Sequence, residues 1–130
     1  MRNLFFLLII FLAFSAVACF RDKTPEEIED AISRSDSLKR VNKLCAEMPK
    51  PDDFKFIRKG LAGNTNTASV VLYYLSFEEP KKNKEFYRKW AKENGWQSDN
   101  LRYYKGNQTV FLEFQPMKDW NLAISCQEPR

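Results

Sequence analysis

Residues 86–96, FYRKWAKENGW, constrain this chain more than any other stretch. Phe86, Tyr87, Trp90 and Ala91 recur at helical spacing and share one face. Gly95 offers the left-handed residue that ends a helix, and Trp96 falls where the residue beyond the cap folds back onto the last turn. Such a helix presents three large rings to something flat and apolar, and the strand-like runs on either side are the expected partner.

The runs themselves are legible. Residues 68–77, ASVVLYYLSF, are β-branched, aromatic and apolar at both alternating sets of positions, which predicts a central strand covered on both sides. Residues 54–58 alternate well enough for a short strand, expected at an edge, where Lys55 and Arg58 are tolerated. Residues 60–67, GLAGNTNT, have loop composition. Downstream, residues 101–105 and 109–115 flank the two-residue turn Gly106-Asn107. A last strand over residues 120–127 sets Trp120, Leu122, Ile124 and Cys126 on one face, toward the core. Phe86, Trp90, Trp96 and Trp120 are all expected in the core.

An earlier helix begins at Thr24-Pro25-Glu26-Glu27, with Thr24 as cap, Pro25 in the first turn and Glu27 closing a capping box. Glu26, Glu27, Glu29 and Asp30 suit its positive end, and Lys39, Arg40 and Lys43 its negative end. Ile28, Ala31, Ile32, Leu38, Val41, Leu44 and Cys45 form a stripe interrupted at Ser35, and Pro49 and Pro51 forbid continuation beyond Met48. Its first half reads as an exposed stalk and its second half as docked. The predicted order of helix, two strands, helix and three strands gives an α+β domain over residues 24–130, an antiparallel sheet of about five strands packed by two helices.

Residues 4–14 form an unbroken apolar run of 11, short of the roughly 20 needed to span a bilayer. Arg2 precedes it, and Ala16 and Ala18 stand where a signal peptidase reads small residues. Residues 1–18 therefore read as an export signal and residues 19–23 as a tether. The octet FSAVACFR resembles a bacterial lipoprotein signal, in which Cys19 becomes the acylated first residue; Ala16-x-Ala18 equally suits ordinary cleavage. The chain has three cysteines, and an exported protein with one disulfide keeps one thiol over. Lipidation of Cys19 removes the odd thiol and leaves Cys45 and Cys126 to pair, Cys126 on its core-facing strand position and Cys45 on the docked helix. The expected location is the bacterial cell envelope, periplasmic or outer face, held by acylated Cys19 in the lipid membrane; otherwise the protein is secreted.

A second resemblance covers residues 44–126. Met48-Pro49-Lys50-Pro51, the strand tyrosines Tyr73-Tyr74, and Phe86-Tyr87 with Gly95-Trp96 in a FYxxxLxxxGW-like pattern are similar to small uncharacterised domains of bacterial lipoproteins and envelope proteins. Trp90-Ala91 replaces the commoner aliphatic residue. The resemblance implies a non-catalytic, often lipid-anchored binding or structural module and transfers no catalytic residues.

The chemistry open to the chain is narrow. Histidine is absent, which removes the usual base near neutral pH, Ser-His and Cys-His nucleophile pairs, and most zinc sites. Cys45 and Cys126 lack CxxC spacing, no serine sits in GxSxG, and GLAGNTNT lacks the lysine of a phosphate loop. No cofactor is called for. An enzymatic alternative is an exported carbohydrate-active hydrolase that pairs carboxylates drawn from Asp52, Asp53, Glu78, Glu79 and Glu113, with Glu113 as one member.

The net charge is +4 at pH 7, and an exported chain is not expected to meet nucleic acid. Lys84, Arg88 and Lys92 fall four apart, opposite the aromatic stripe, with Lys81, Lys82 and Lys89 nearby and Glu85 and Glu93 as partial balance. This is the candidate binding surface, for anionic phospholipid, an anionic glycan or an acidic envelope protein; a solvated helix face is the plain alternative. Tyr104 and Phe111, with Tyr73 or Tyr74, are a candidate aromatic patch on the strand faces away from the aromatic helix, unless the N-terminal helix covers it. Asn107-Gln108-Thr109 matches a glycosylation pattern, and in a bacterial protein it is a turn.

Overall fold

The computed structural model of the chain describes residues 23–130. Cys19, the expected export signal over residues 1–18 and all but Lys23 of the expected tether lie outside the described residues. Two helices open the fold, α1 (Pro25–Ser33) and α2 (Asp36–Glu47), followed by β1 (Lys55–Asn64), β2 (Thr67–Leu75), α3 (Pro80–Glu93), β3 (Gln97–Asp99), β4 (Arg102–Lys105), β5 (Gln108–Phe114) and β6 (Leu122–Pro129). The strands form one six-stranded sheet in the order β1-β2-β6-β5-β4-β3. Every pairing is antiparallel. The architecture is α+β, as expected, with one strand and one helix more than the sequence pattern suggests.

The extra helix arises at Ser35. Thr24 caps α1 as expected, its hydroxyl accepting from the Glu27 N–H at 3.2 Å. Ser35 then adopts extended backbone and its hydroxyl accepts from the Leu38 N–H at 3.2 Å, capping a new helix instead of continuing the old one. The break lets both segments dock. Ile28 and Ile32 of α1 are buried beside Leu38, Val41 and Cys45 of α2. The stalk expected over the first half is thus corrected: α1 folds onto the α2–β1 corner, with Lys59 Nζ 2.9 Å from Glu29 Oε1.

The extra strand, β3, has only exposed polar residues and carries no alternation to read. Residues 60–64, expected in a loop, extend β1, and the hairpin turns only at residues 65–66. Gly63 permits this with φ +98°, its absent Cβ leaving room for the Thr67 carbonyl. β1 remains the edge strand, with a bulge between Phe56 and Arg58. The Gly106-Asn107 turn joins β4 to β5 as expected, Lys105 facing Gln108.

Register assigns the two faces. Val70, Leu72 and Tyr74 of β2, Leu112 and Val110 of β5, Tyr103 of β4 and Ile124 and Cys126 of β6 share one face and form the core with the helices. Cys45 and Cys126 are joined by a disulfide, Cα atoms 5.8 Å apart across a separation of 81 residues. This fastens α2 over the middle of the sheet. Lys50 closes that helix, its ammonium donating to the Cys45 and Met48 carbonyls at 3.0 Å each.

Among the described residues the helices lie on this one face, so β2 is not sandwiched between layers. On its other side Val71 and Ser69 are still buried; in that face the Tyr73 ring lies over Gly60, and the Ser69 and Ser125 hydroxyls meet at 3.1 Å. Two aromatic expectations are corrected here. β6 begins two residues late because the Asn121 side chain accepts from the Ser76 N–H and donates to its carbonyl. Trp120 therefore stays outside the core and packs on Tyr73 at 5.1 Å. Phe86 is exposed, and Tyr87 is the α3 ring that is fully buried.

A groove between the third helix and the sheet edge

The buried stripe of α3 is Asn83, Tyr87 and Ala91. Asn83 donates to Ser76 Oγ at 2.9 Å and the Tyr87 hydroxyl to the Pro49 carbonyl at 2.9 Å, so both polar groups are satisfied inside. With that stripe facing in, Glu85, Arg88, Lys89 and Lys92 project toward the β3 edge. Asn94 ends the helix, Gly95 takes φ +76°, and the Trp96 N–H donates to the Ala91 carbonyl at 2.8 Å. This bond returns Trp96 to the last turn, where its ring lies 5.3 Å from Trp90. Lys105 Nζ holds the same junction from β4, donating to the Asn94 carbonyl at 3.0 Å.

The result is an open groove of about 590 Å³ lined by Glu85, Arg88, Lys89, Lys92, Trp96 and Ser98. Arg88 Nη2 lies 2.7 Å from Glu85 Oε1, which orients the guanidinium and balances one of three cations. Burial pushes the Tyr103 phenol up, and the nearby Arg88 charge opposes that shift. Three cations beside an indole and a hydroxyl suit an anion with a flat or apolar part, held by charge-assisted hydrogen bonds and ring contact.

Of the candidate surface residues, Arg88 and Lys92 come together here. Lys84 does not: its ammonium lies 5.5 Å from the Phe114 ring centroid. Lys89 replaces it. Ser98 carries no signal in the sequence, because β3 has no apolar pattern; Trp90 and Trp96 pack against the core as expected, and Trp96 also lines the groove. The Gly95-Trp96 cap beside a run of lysines was the signal available.

The other candidates separate. Tyr104 and Phe111 do share the sheet face away from the helices with Tyr73, whereas Tyr74 faces the helices and meets Phe54 at 5.4 Å. That face is self-engaged: Arg102 covers Phe111 at 4.8 Å, and Arg58 covers Tyr73 at 4.4 Å while binding Asp119. Among the carboxylates, Asp53 accepts from Ser76 Oγ and the Phe77 N–H. Glu78 pairs with Lys82, and Glu79 occupies the α3 N-cap position without a side-chain cap. Glu113 is exposed on the open face. Among the described residues no three His, Cys, Asp or Glu side chains group to hold a metal, and no helix is long and apolar enough to cross a membrane. No protein-family model, curated protein or solved structure matches this chain.

Proposed function

We propose that the protein is a non-catalytic envelope binding module, anchored by acylated Cys19, whose α3–β3 groove takes an anionic glycan or an acidic segment of an envelope protein. The observation that carries this reading is the convergence of Arg88, Lys89 and Lys92 on Trp96 and Ser98. The anchor is supported by the pairing of Cys45 with Cys126, which makes Cys19 the odd cysteine of three, directly after an apolar run ending in small residues. Several acyl chains on one cysteine give stable membrane attachment where a single chain gives only a reversible one.

The anchor is tested by the intact mass of the protein extracted from its native membrane. Lipid mass on the fragment carrying Cys19, with two hydrogens gained on reduction elsewhere, is the expected result; an unmodified Cys19 overturns it. The groove is tested with dextran sulfate as a soluble polyanion. Binding should weaken steeply with salt and fall at least tenfold in the Arg88→Glu/Lys89→Glu/Lys92→Glu variant, while reversal of Lys84 has little effect. Equal losses from both variants would reduce the groove to a solvated helix face.

A further inference from the structure

The exposed large apolar side chains among the described residues are Phe56, Phe77, Phe86 and Met117, at 54%, 73%, 37% and 54% exposure. Their placement is not scattered. Phe56 is the second residue of β1, which opens with Lys55 facing Leu75 at the close of β2, and Phe77 follows two residues beyond. Met117 sits in the β5–β6 loop, which Asn121 fastens to Tyr74 and Ser76 at that same end of β2. α3 starts there too, Asn83 bonding Ser76, with Phe86 one turn further on. The opposite end of the sheet holds the turn at residues 65–66, Gly106-Asn107 and the chain terminus at Arg130, with none of the exposed large apolar side chains.

The chain also emerges from its tether at the apolar end. Lys23, Pro25 and Ile28 line a groove of about 430 Å³ with Phe56 and Ile57, and the charged Glu29, Arg58 and Lys59 close its other side. Cys19 lies four residues before Lys23, a reach of about 14 Å even when fully extended. Exposed Lys55 and Lys118, which make no ion pair among the described residues, flank Phe56 and Met117. Of the exposed acids at this end Asp119 is paired with Arg58 and Glu78 with Lys82, so the apolar side chains carry the contact. Lysines so placed carry their ammonium groups to a phosphate layer while the apolar groups beside them enter the interface.

We propose that this end of the sheet is a membrane-contact surface: Phe56, Phe77 and Met117 insert at the lipid interface, and the domain stands end-on upon the bilayer. The inference rests on the Cys19 anchor for its orientation. It also assigns the groove's ligand to the space above the membrane. α3 has 14 residues, a length of about 21 Å. It starts at that end beside Ser76 and closes against Lys105, next to the Gly106-Asn107 turn at the other, so Lys92 and Trp96 lie toward the end away from the lipid. The groove therefore takes an anion other than the bilayer to which the protein is anchored.

The test uses the full mature chain, reconstituted into phosphatidylcholine vesicles, with a benzophenone photoprobe in place of Phe77, Met117, Asn66 or Asn107. Lipid adducts at 77 and 117 should exceed those at 66 and 107 at least fivefold. Equal yields at both ends, or a preference for 66 and 107, on a chain whose mass shows lipidated Cys19, overturn the end-on surface and leave the anchor standing. A chain without lipid on Cys19 overturns the anchor. For that chain, flotation with the vesicles and crosslinking at 77 and 117 uphold the surface, and failure to float overturns it. The Phe56→Ser/Phe77→Ser/Met117→Ser variant changes only exposed side chains and should lower flotation of the unlipidated chain at least fivefold; unchanged flotation counts against the surface.

Discussion

The Trp96 ring rests against Trp90 with centroids 5.3 Å apart, while the Trp96 N–H donates to the Ala91 carbonyl at 2.8 Å. One local closure thus ends α3, covers its last turn and raises a wall of the cationic groove. Gly95, at φ +76°, is what allows it. Nothing lies within 4 Å of where its Cβ would stand, so Gly95→Ala should cost only the left-handed backbone penalty, about 1 kcal/mol. Gly63→Ala should cost more, because its Cβ would meet the Thr67 carbonyl at 2.4 Å as well as adopt φ +98°. Urea denaturation of both variants checks the ranking.

The Cys45–Cys126 bond spans 81 residues and ties α2 to β6. Removing it restores that freedom to the unfolded chain, so Cys45→Ala/Cys126→Ala should lower stability by about 2–5 kcal/mol. Reduction of the native protein should lower its denaturation midpoint in the same direction. A midpoint unchanged by reductant would show that helix packing alone holds the two elements.

Glu128 is 3% exposed and depends on Arg40, whose Nε lies 2.6 Å from its carboxylate, with Gln108 at 3.4 Å. Arg40→Met strands a buried carboxylate and should destabilise by about 1–3 kcal/mol. Adding Glu128→Gln should recover part of that loss. A double-mutant cycle measured by thermal unfolding reads the coupling, and strict additivity would contradict it.

Alkaline pH should unfold the protein through its buried phenols. Burial pushes Tyr74 up to about 12, and raises Tyr103 and, most strongly, Tyr87. In the unfolded chain all three ionise near pH 10. Their protonated folded forms thus contribute stability that is complete below pH 10 and is lost as pH rises from there through the folded values. Stability measured between pH 9 and 12 should fall steeply, and Tyr87→Phe should flatten the slope despite its own cost from the lost bond to Pro49. A parallel pH profile for the variant would contradict this.

Local signals were legible where a residue's own chemistry decides its place. Thr24 caps, Gly106-Asn107 turns, Gly95-Trp96 closes a helix, and the periodicity of β6 points Cys126 inward. The misses share a cause. Ser35 within an apolar stripe breaks or bends a helix according to whether both halves find something to cover. Three polar residues become β3 only because β4 lies beside them. Asn83 and Asn121 act through partners 7 and 45 residues away, which no local pattern contains.

The sequence by itself determined the α+β class, the helix ends, the core-facing position of Cys126 and the absence of histidine chemistry, since each follows from single side chains or from short-range spacing. Only the tertiary structure decided that the helices share one face, that Arg88, Lys89 and Lys92 meet Trp96 and Ser98, and that the exposed Phe56, Phe77 and Met117 gather at the end of the sheet where β2 closes. Those relationships join residues far apart in the chain, and strand register with helix docking sets them, through burial and hydrogen bonding summed over the whole sheet.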